Sequence, residues 1–302
     1  MFVIGSRGSD LALAQSRWVQ KRILQLFPGT NVSIRIIKTT GDKDTVSSIR
    51  TGQSIGVFVK ELERALLDAE IDLAVHSMKD LPTKIPSDLT IAAIPCREDV
   101  RDAFITKNGS GFRDLPSGSR IGTGSLRRQA QLLALRPDLQ IKDIRGNVNT
   151  RFKKLEEQSY DALVLACAGL NRLEFQNRIT EKFTLDQILP APGQGALAIQ
   201  TRADDDRTLQ IAHALNHNET SVEVRSERVF LQRVGGGCNI PVAVYSRMEQ
   251  DRIHITGLII SPDGRKNLRD SIEDIPESAD EAAALLADRI LNNGGRDILE
   301  AL

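Results

Sequence analysis

Residues 120–128 read Arg-Ile-Gly-Thr-Gly-Ser-Leu-Arg-Arg. This is a short strand, a glycine turn, a serine placed to cap, and the first turn of a helix that the pattern carries from Leu126 to Arg136. The next stretch repeats the plan. The apolar run Leu139–Ile144 leads into Arg145-Gly-Asn-Val-Asn-Thr-Arg151, a helical pattern covers Thr150–Gln158, and Ala162–Ala166 (strand) precedes Ala168–Arg172 (helix). Toward the N-terminus, Val32–Ile37, Ile71–Val75, Leu89–Ile94 and Ala103–Thr106 read as strands, several of them apolar enough to be buried on both faces, while Phe58–Ala69 reads as helix. Strand–helix alternation of this kind predicts an α/β chain with mainly parallel sheets. Breaks near Pro95–Asp102 and Leu189–Gly195 separate two such domains, residues 1–97 with 195–215 and residues 98–194. After about Asn216 the pattern changes to a long helix (Glu219–Val234), a β hairpin turning at Ser261-Pro-Asp-Gly and an alanine-rich helix stopped by Gly294-Gly295. Residues 216–302 therefore read as a smaller α+β domain. No internal repeat is evident.

The chain has 302 residues, with 40 basic and 40 acidic side chains, so wholesale polyanion binding has little support. The balance is uneven locally. Residues 120–154 hold nine basic side chains against two acidic, net +7, and the last thirty residues are net −6, a solvated acidic face. The longest apolar run, Ala162–Leu170, is half of what a membrane helix needs, and the N-terminus lacks the basic start and long apolar stretch of a signal peptide. A cytoplasmic protein is expected. Cys96, Cys167 and Cys238 lie far apart with no C-x-x-C pair, which argues against a disulfide framework and against a zinc site.

In parallel α/β sheets ligands bind beyond the carboxyl ends of the strands, so the polar residues there are the candidates. Gly5-Ser-Arg-Gly-Ser-Asp10 offers Arg7, two glycines that let the backbone approach a ligand, and Ser9 or Asp10 as N-cap; in isolation it reads more readily as a capped turn. His76-Ser-Met-Lys-Asp80 packs four reactive side-chain types into five residues, although a lone His76 is more often a satisfied structural histidine and Lys79–Asp80 could be a silent surface pair. In the 120–128 turn, Thr123, Ser125 and the exposed N–H groups of a helix start suit an anion. Arg127 and Arg128 in that first turn oppose the helix dipole, a cost that an anionic ligand would offset. Arg145 and Arg151 flank Gly146 and the capping Asn147, and clustered guanidinium groups suit an anion with several acidic groups. Cys238, in Gly235-Gly-Gly-Cys-Asn-Ile-Pro241, has the accessible setting that a reactive thiol needs, or is incidental to a flexible loop; Cys96 and Cys167 read as small hydrophobes.

Taken in order, these blocks resemble the hydroxymethylbilane synthase (porphobilinogen deaminase) family. They are Ser6-Arg-Gly-Ser-Asp-Leu-Ala, Phe58-Val-Lys-Glu-Leu-Glu, Ala74-Val-His-Ser-Met-Lys-Asp-Leu-Pro, Arg97-Glu-Asp-Val-Arg-Asp-Ala-Phe, Gly122-Thr-Gly-Ser-Leu-Arg-Arg-Gln, Arg145-Gly-Asn-Val-Asn-Thr-Arg, Leu189-Pro-Ala-Pro-Gly-Gln-Gly-Ala and Gly236-Gly-Cys. The resemblance implies two periplasmic-binding-protein-like (type II) α/β domains around a cleft, plus the smaller α+β domain. It implies a monomer that uses no metal and joins four porphobilinogen molecules, with loss of ammonia, onto a dipyrromethane cofactor held by a thioether to Cys238. Hydrolysis then releases the linear tetrapyrrole hydroxymethylbilane. Asp80, with Lys79 beside it, matches the catalytic position, a buried carboxylate that hydrogen-bonds pyrrole N–H groups and stabilises cationic intermediates. Cofactor contacts fall on Ser77, Lys79, Asp80, Thr123, Ser125, Arg127, Arg128, Arg145 and Gly146, and substrate contacts on Arg7, Ser9, Arg145, Arg151 and Arg172. Gln194 lies in a matching segment and receives no role.

Three positions depart from the family pattern. Ile55 stands where a lid lysine is common, Gly124 replaces a frequent serine, and Ala14 stands where an aromatic residue is usual. Two other classes remain to be weighed. A non-catalytic solute-binding or ligand-sensing protein would share the cleft but has no need of Asp80 or Cys238. A nucleic-acid-binding protein would use the +7 stretch, yet no aromatic stacking platform or DNA-binding motif accompanies it.

Overall fold

The computed structural model describes residues 2–37, 57–157, 160–235 and 240–302. The altered lid at Gln53–Gly56, including Ile55, and the cysteine Cys238 lie outside the described residues. In chain order the elements begin β1 (Phe2–Ser6), α1 (Asp10–Leu26), β2 (Val32–Ile36), α2 (Val57–Leu67), β3 (Leu73–Ser77) and β4 (Leu89–Ala93). They continue β5 (Asp102–Thr106), β6 (Arg120–Gly122), α3 (Leu126–Leu135), β7 (Gln140–Lys142), α4 (Val148–Glu156), β8 (Ala162–Ala166), α5 (Cys167–Arg172) and β9 (Glu181–Lys182). The remainder is β10 (Leu197–Arg202), α6 (Asp206–His213), α7 (Asn218–Arg233), β11 (Val242–Glu249), β12 (Arg252–Ile260), β13 (Asn267–Asp274), α8 (Ala279–Ile290) and α9 (Arg296–Glu300).

The chain divides into two compact units, Met1–Arg97 with Ala196–Ser221, and Glu98–Gly195 with Val222–Leu302. The first is built on a five-stranded sheet of order β2-β1-β3-β10-β4. One face is covered by α1 and α6, burying Phe2, Ile4, Val19, Ile23, Leu73, Ile199 and Ile211; the other packs Leu62, Leu66 and Ile71 around α2. Two covered faces explain the continuous apolar strands in the sequence.

The second unit contains a sheet of order β7-β6-β8-β5-β9. It has the same plan as the first. Three parallel strands with the earliest in the middle are followed by a strand that enters antiparallel, β10 in one sheet and β5 in the other, and then by a last strand antiparallel to that one. This is the type II α/β plan, and it is a structural repeat that the sequence does not display. It also corrects the expectation of mainly parallel sheets. Half of the strand pairings in each sheet are antiparallel, because the fourth strand arrives from a distant part of the chain.

The same unit carries an antiparallel sheet, β11-β12-β13, so the single expected hairpin is two. Phe230, Val244, Ile255, Ala283, Leu286 and Ile290 form its core with α7 and α8. The alanine-rich helix ends at Ile290, earlier than the glycines, and the chain resumes as α9 after a wide turn in which Gly294 has φ +106°. The Ser261–Lys266 turn of the second hairpin sits directly on α3. A Cβ on Gly264 would lie 2.5 Å from the Ala134 nitrogen and 2.6 Å from the Ala130 oxygen, and φ is +75° there, so this contact requires glycine.

Candidate active site

In the first sheet the parallel strands end at Ser6, Ile36 and Ser77, and β10 begins opposite Ser77. One edge therefore carries both the Ser6–Asp10 turn and the Ser77–Asp80 turn. Ser9 is the N-cap of α1, its oxygen accepting from the Ala12 N–H at 3.3 Å. Gly5 serves packing rather than ligand approach, because Ile71 and Leu62 fill the space a side chain would take. Arg7 is half-buried. After His76 the chain makes a single 3₁₀ turn, Met78–Asp80, anchored by Met78 N–H to the Ala196 oxygen (3.0 Å) and closed by Leu81 N–H to the Met78 oxygen (3.1 Å). The Ser77 hydroxyl accepts from Gln15 Nε2 at 2.7 Å. Lys79 is half-buried and Asp80 exposed. The expectation of a buried carboxylate is corrected on this point: three residues of 3₁₀ turn carry Asp80 clear of the strand end and leave it exposed.

The second unit has the corresponding edge, where β6, β7 and β8 end at Gly122, Lys142 and Ala166 and β5 begins opposite Ala166. Thr123 is buried; its N–H donates to the Lys142 oxygen (3.0 Å) and its hydroxyl accepts from Ser125 N–H (3.3 Å). Ser125 caps α3 and Asn147 caps α4. Gly146 has φ +111°, and a Cβ there would meet Thr150 Cγ2 at 2.7 Å. Arg145 and Asp143 are both largely exposed and paired at 2.9 Å. Arg151 Nε donates to the Gly146 oxygen at 2.9 Å, and Lys154 Nζ to the Arg145 oxygen at 3.0 Å. The departure at Gly124 has a structural counterpart, since a Cβ there would lie 2.9 Å from Asp143 Oδ1 and 3.2 Å from the Ile144 oxygen. Arg172 donates from Nη2 to the Gly195 oxygen at 2.7 Å, and burial pulls its guanidinium down to about 10, still charged at neutral pH, with Glu98 opposing the shift.

Arg127 and Arg128 require a correction. The sequence offers no return for two cations in the first turn of α3, whereas the fold supplies Asp102, the first residue of β5. Arg127 Nη2 donates to one Asp102 oxygen at 2.8 Å and Arg128 Nη2 to the other at 2.7 Å. Gln194 Nε2 donates to Asp102 at 2.8 Å and to the Val100 oxygen at 2.8 Å. Further bonds run from Arg127 to the Leu189 oxygen and from Arg128 to the Val164 oxygen. Both arginines are almost fully buried, so neither is an open side chain at this edge. Burial works against the Asp102 charge, but the two guanidinium charges, with hydrogen bonds from Arg128 and Gln194, prevail and hold the carboxyl well below its usual range. Two cations against one anion leave a net positive charge, and the Nε atoms of both arginines are buried with no acceptor among the described residues.

Sequence reasoning passed over Asp102 and left Gln194 without a role. The signal for Asp102 was a charged residue opening an otherwise apolar strand, Asp-Ala-Phe-Ile-Thr. Glu227 was passed over too: fully buried on α7, it accepts from Gly193 N–H at 2.6 Å and Ser246 N–H at 2.9 Å, tying the segment beside Gln194 to β11. His76 is the satisfied structural histidine of the sequence alternative, bonded through Nε2 to Gln200 Oε1 at 2.9 Å.

Each edge thus presents cationic side chains and capped helix starts, the chemistry of a carboxylate-rich ligand. A family model described as "Porphobilinogen deaminase, dipyromethane cofactor binding domain" matches residues 2–210, and one described as "Porphobilinogen deaminase, C-terminal domain" matches residues 221–292. A porphobilinogen deaminase of Thermus thermophilus is 46% identical over 98% of this chain and 97% of its own length. One of Syntrophotalea carbinolica is 46% identical over 99% and 95%. Among solved structures, the second substrate binding domain of a putative amino acid ABC transporter from Streptococcus pneumoniae aligns over 78% of this chain and 95% of its own with 13% identity and a TM-score of 0.43. With family models spanning both units and relatives matched along nearly their whole length, this chain belongs to the porphobilinogen deaminase family.

Proposed function

We propose that this enzyme joins four porphobilinogen molecules head to tail on a dipyrromethane attached to Cys238, and that Asp80 is its catalytic carboxylate. The cofactor of the family domain is dipyrromethane. When bound, it supplies the free pyrrole carbon onto which the four units are added before water releases hydroxymethylbilane. The described residues fit such a group: after Asp102 is counted, the second edge keeps a net positive charge, with two buried guanidinium Nε atoms that no acceptor among the described residues takes. The observation that carries the reading is Asp80 itself, an exposed carboxylate on the edge that also holds Arg7, Ser9 and Lys79.

Asp80 accepts hydrogen bonds from pyrrole N–H groups and stabilises the positive charge that develops as the aminomethyl C–N bond breaks and ammonia leaves. It also takes the proton that the attacking pyrrole carbon gives up. Lys79, with Ser77 braced by Gln15, sets the position of that carboxylate. Arg7, Ser9, Arg145, Arg151 and Arg172 hold substrate carboxylates; Arg145 exchanges its partner Asp143 for substrate. Thr123, Ser125, Gly146, Arg127 and Arg128 hold the carboxylates of the cofactor, with the two arginines contributing mainly charge. We take residues 216–302 as a third domain bearing Cys238, and place the protein in the cytoplasm as a monomer. No helix among the described residues is long and apolar enough to cross a membrane.

The test is the intact mass of the denatured protein beside Cys238→Ser. A covalent excess of two linked pyrrole units in the parent and none in the variant is expected; an equal excess in both places the anchor elsewhere. Asp80→Ala should keep the fold and lose turnover, and normal turnover would end the assignment of Asp80.

A further inference from the structure

We infer that Glu63, acting through Gln200, holds His76 as the neutral Nε2–H tautomer and makes it a positioning residue rather than an acid–base group, leaving proton exchange at this edge to Asp80. The inference rests on the reading of Asp80 above. His76 is the feature of the motif that the mechanism does not use. It precedes Ser77 directly, lies opposite Ala198 of β10, and is the side chain in this stretch whose ordinary titration falls nearest neutral pH.

Its tautomer follows from donors and acceptors alone. Gln200 is fully buried on β10, and its Nε2 donates to Glu63 Oε1 of α2 at 3.1 Å. A carboxylate only accepts, so the amide nitrogen faces Glu63 and the amide oxygen faces His76. An amide oxygen also only accepts, so the His76 Nε2 at 2.9 Å carries the hydrogen and the neutral ring is bare at Nδ1. The charged group facing His76 from the β1–α1 turn is Arg7, and from α2, beyond the neutral Gln200, it is Glu63. Burial, reinforced by Arg7 and only partly opposed by the bond to Gln200, lowers the imidazole to about 4. The imidazole then adds no cationic charge to this edge in the pH range in which a free histidine would.

The protein has four histidines. In the holoenzyme labelled with ¹⁵N-histidine, single His213→Gln, His217→Gln and His254→Gln variants assign the fourth imidazole by elimination. Long-range ¹H–¹⁵N spectra from about pH 5 to 8 should show His76 neutral throughout with the hydrogen on Nε2. An Nδ1–H pattern, or titration above about pH 5.5, overturns the relay. In Glu63→Gln the new amide can donate as well as accept, so Gln200 can turn. Part of His76 should move to the Nδ1–H form, and the KM for porphobilinogen should rise about two- to tenfold with kcat retained. A shifted tautomer with an unchanged KM overturns the positioning role. Asp80→Ala should keep the His76 spectrum and lose turnover. Turnover that survives there overturns the assignment of proton exchange to Asp80, with the tautomer result standing separately.

Discussion

Asp102→Asn is the most demanding test of the second edge. Asp102 is fully buried, and its two oxygens take donors from Arg127 (2.8 Å), Arg128 (2.7 Å) and Gln194 (2.8 Å). Asparagine preserves the shape but removes the charge and turns an NH₂ group toward one guanidinium, leaving two buried cations side by side. Removing one partner of a buried ion pair costs about 3–5 kcal/mol, most of it the uncompensated charge that remains. Urea unfolding can be read on this unit specifically, because both tyrosines, Tyr160 and Tyr245, belong to it while Trp18 belongs to the other. The tyrosine-detected transition should lose about 3–5 kcal/mol. In an Arg128→Met background one cation is already gone, so the same substitution should cost at least about 1 kcal/mol less, the coupling expected of residues in one network. A loss below about 1 kcal/mol, or an identical loss in both backgrounds, would refute the picture of Asp102 as the counter-charge of this pair.

Gly264→Ala should destabilise the same unit by about 2 kcal/mol or more, from the left-handed backbone and the backbone of α3 that a methyl would strike, so its tyrosine transition moves to lower urea; an unchanged midpoint means the turn does not rest on α3. Folded His76 has a lowered pKa, so the stability it contributes is complete above about 6.5 and is lost as pH falls toward about 4, at most about 3 kcal/mol, with Asp99 and Asp102 extending the loss below 3.8; stability flat from pH 7 to 4 contradicts this. Native protein should react with a thiol reagent at exposed Cys96 and not at Cys167, whose thiol burial pushes up to about 12, and peptide mapping that finds Cys167 labelled first argues against the packing around α5.

Much of this protein was written locally. The caps Ser9, Ser125 and Asn147 stand at the helix starts that the sequence pattern marks, and strands such as Ala162–Ala166 agree residue for residue, because a cap or an apolar run acts within a few neighbours. The 3₁₀ turn that exposes Asp80 depends on a bond to Ala196, more than a hundred residues away, and was not legible. Nor were the strand β10 and the shared plan of the two sheets, because pairing between distant segments leaves no periodicity to read.

By itself the sequence determined which side chains stand beyond the strands: Arg7 and Thr123 follow their strands directly, Lys79, Asp80 and Arg145 come within three residues, and Arg151 lies in the helix that follows, and that adjacency is a property of the chain. Only the tertiary structure decided which charges are available to a ligand. Arg145 and Arg127 are both cations beside a glycine turn, yet one is largely exposed beside a surface carboxylate and the other is sealed against Asp102. The physical reason is that a charge is answered by whatever the fold brings within about 3 Å, and Asp102 reaches Arg127 and Arg128 only because an antiparallel strand from 25 residues earlier inserts beside β8.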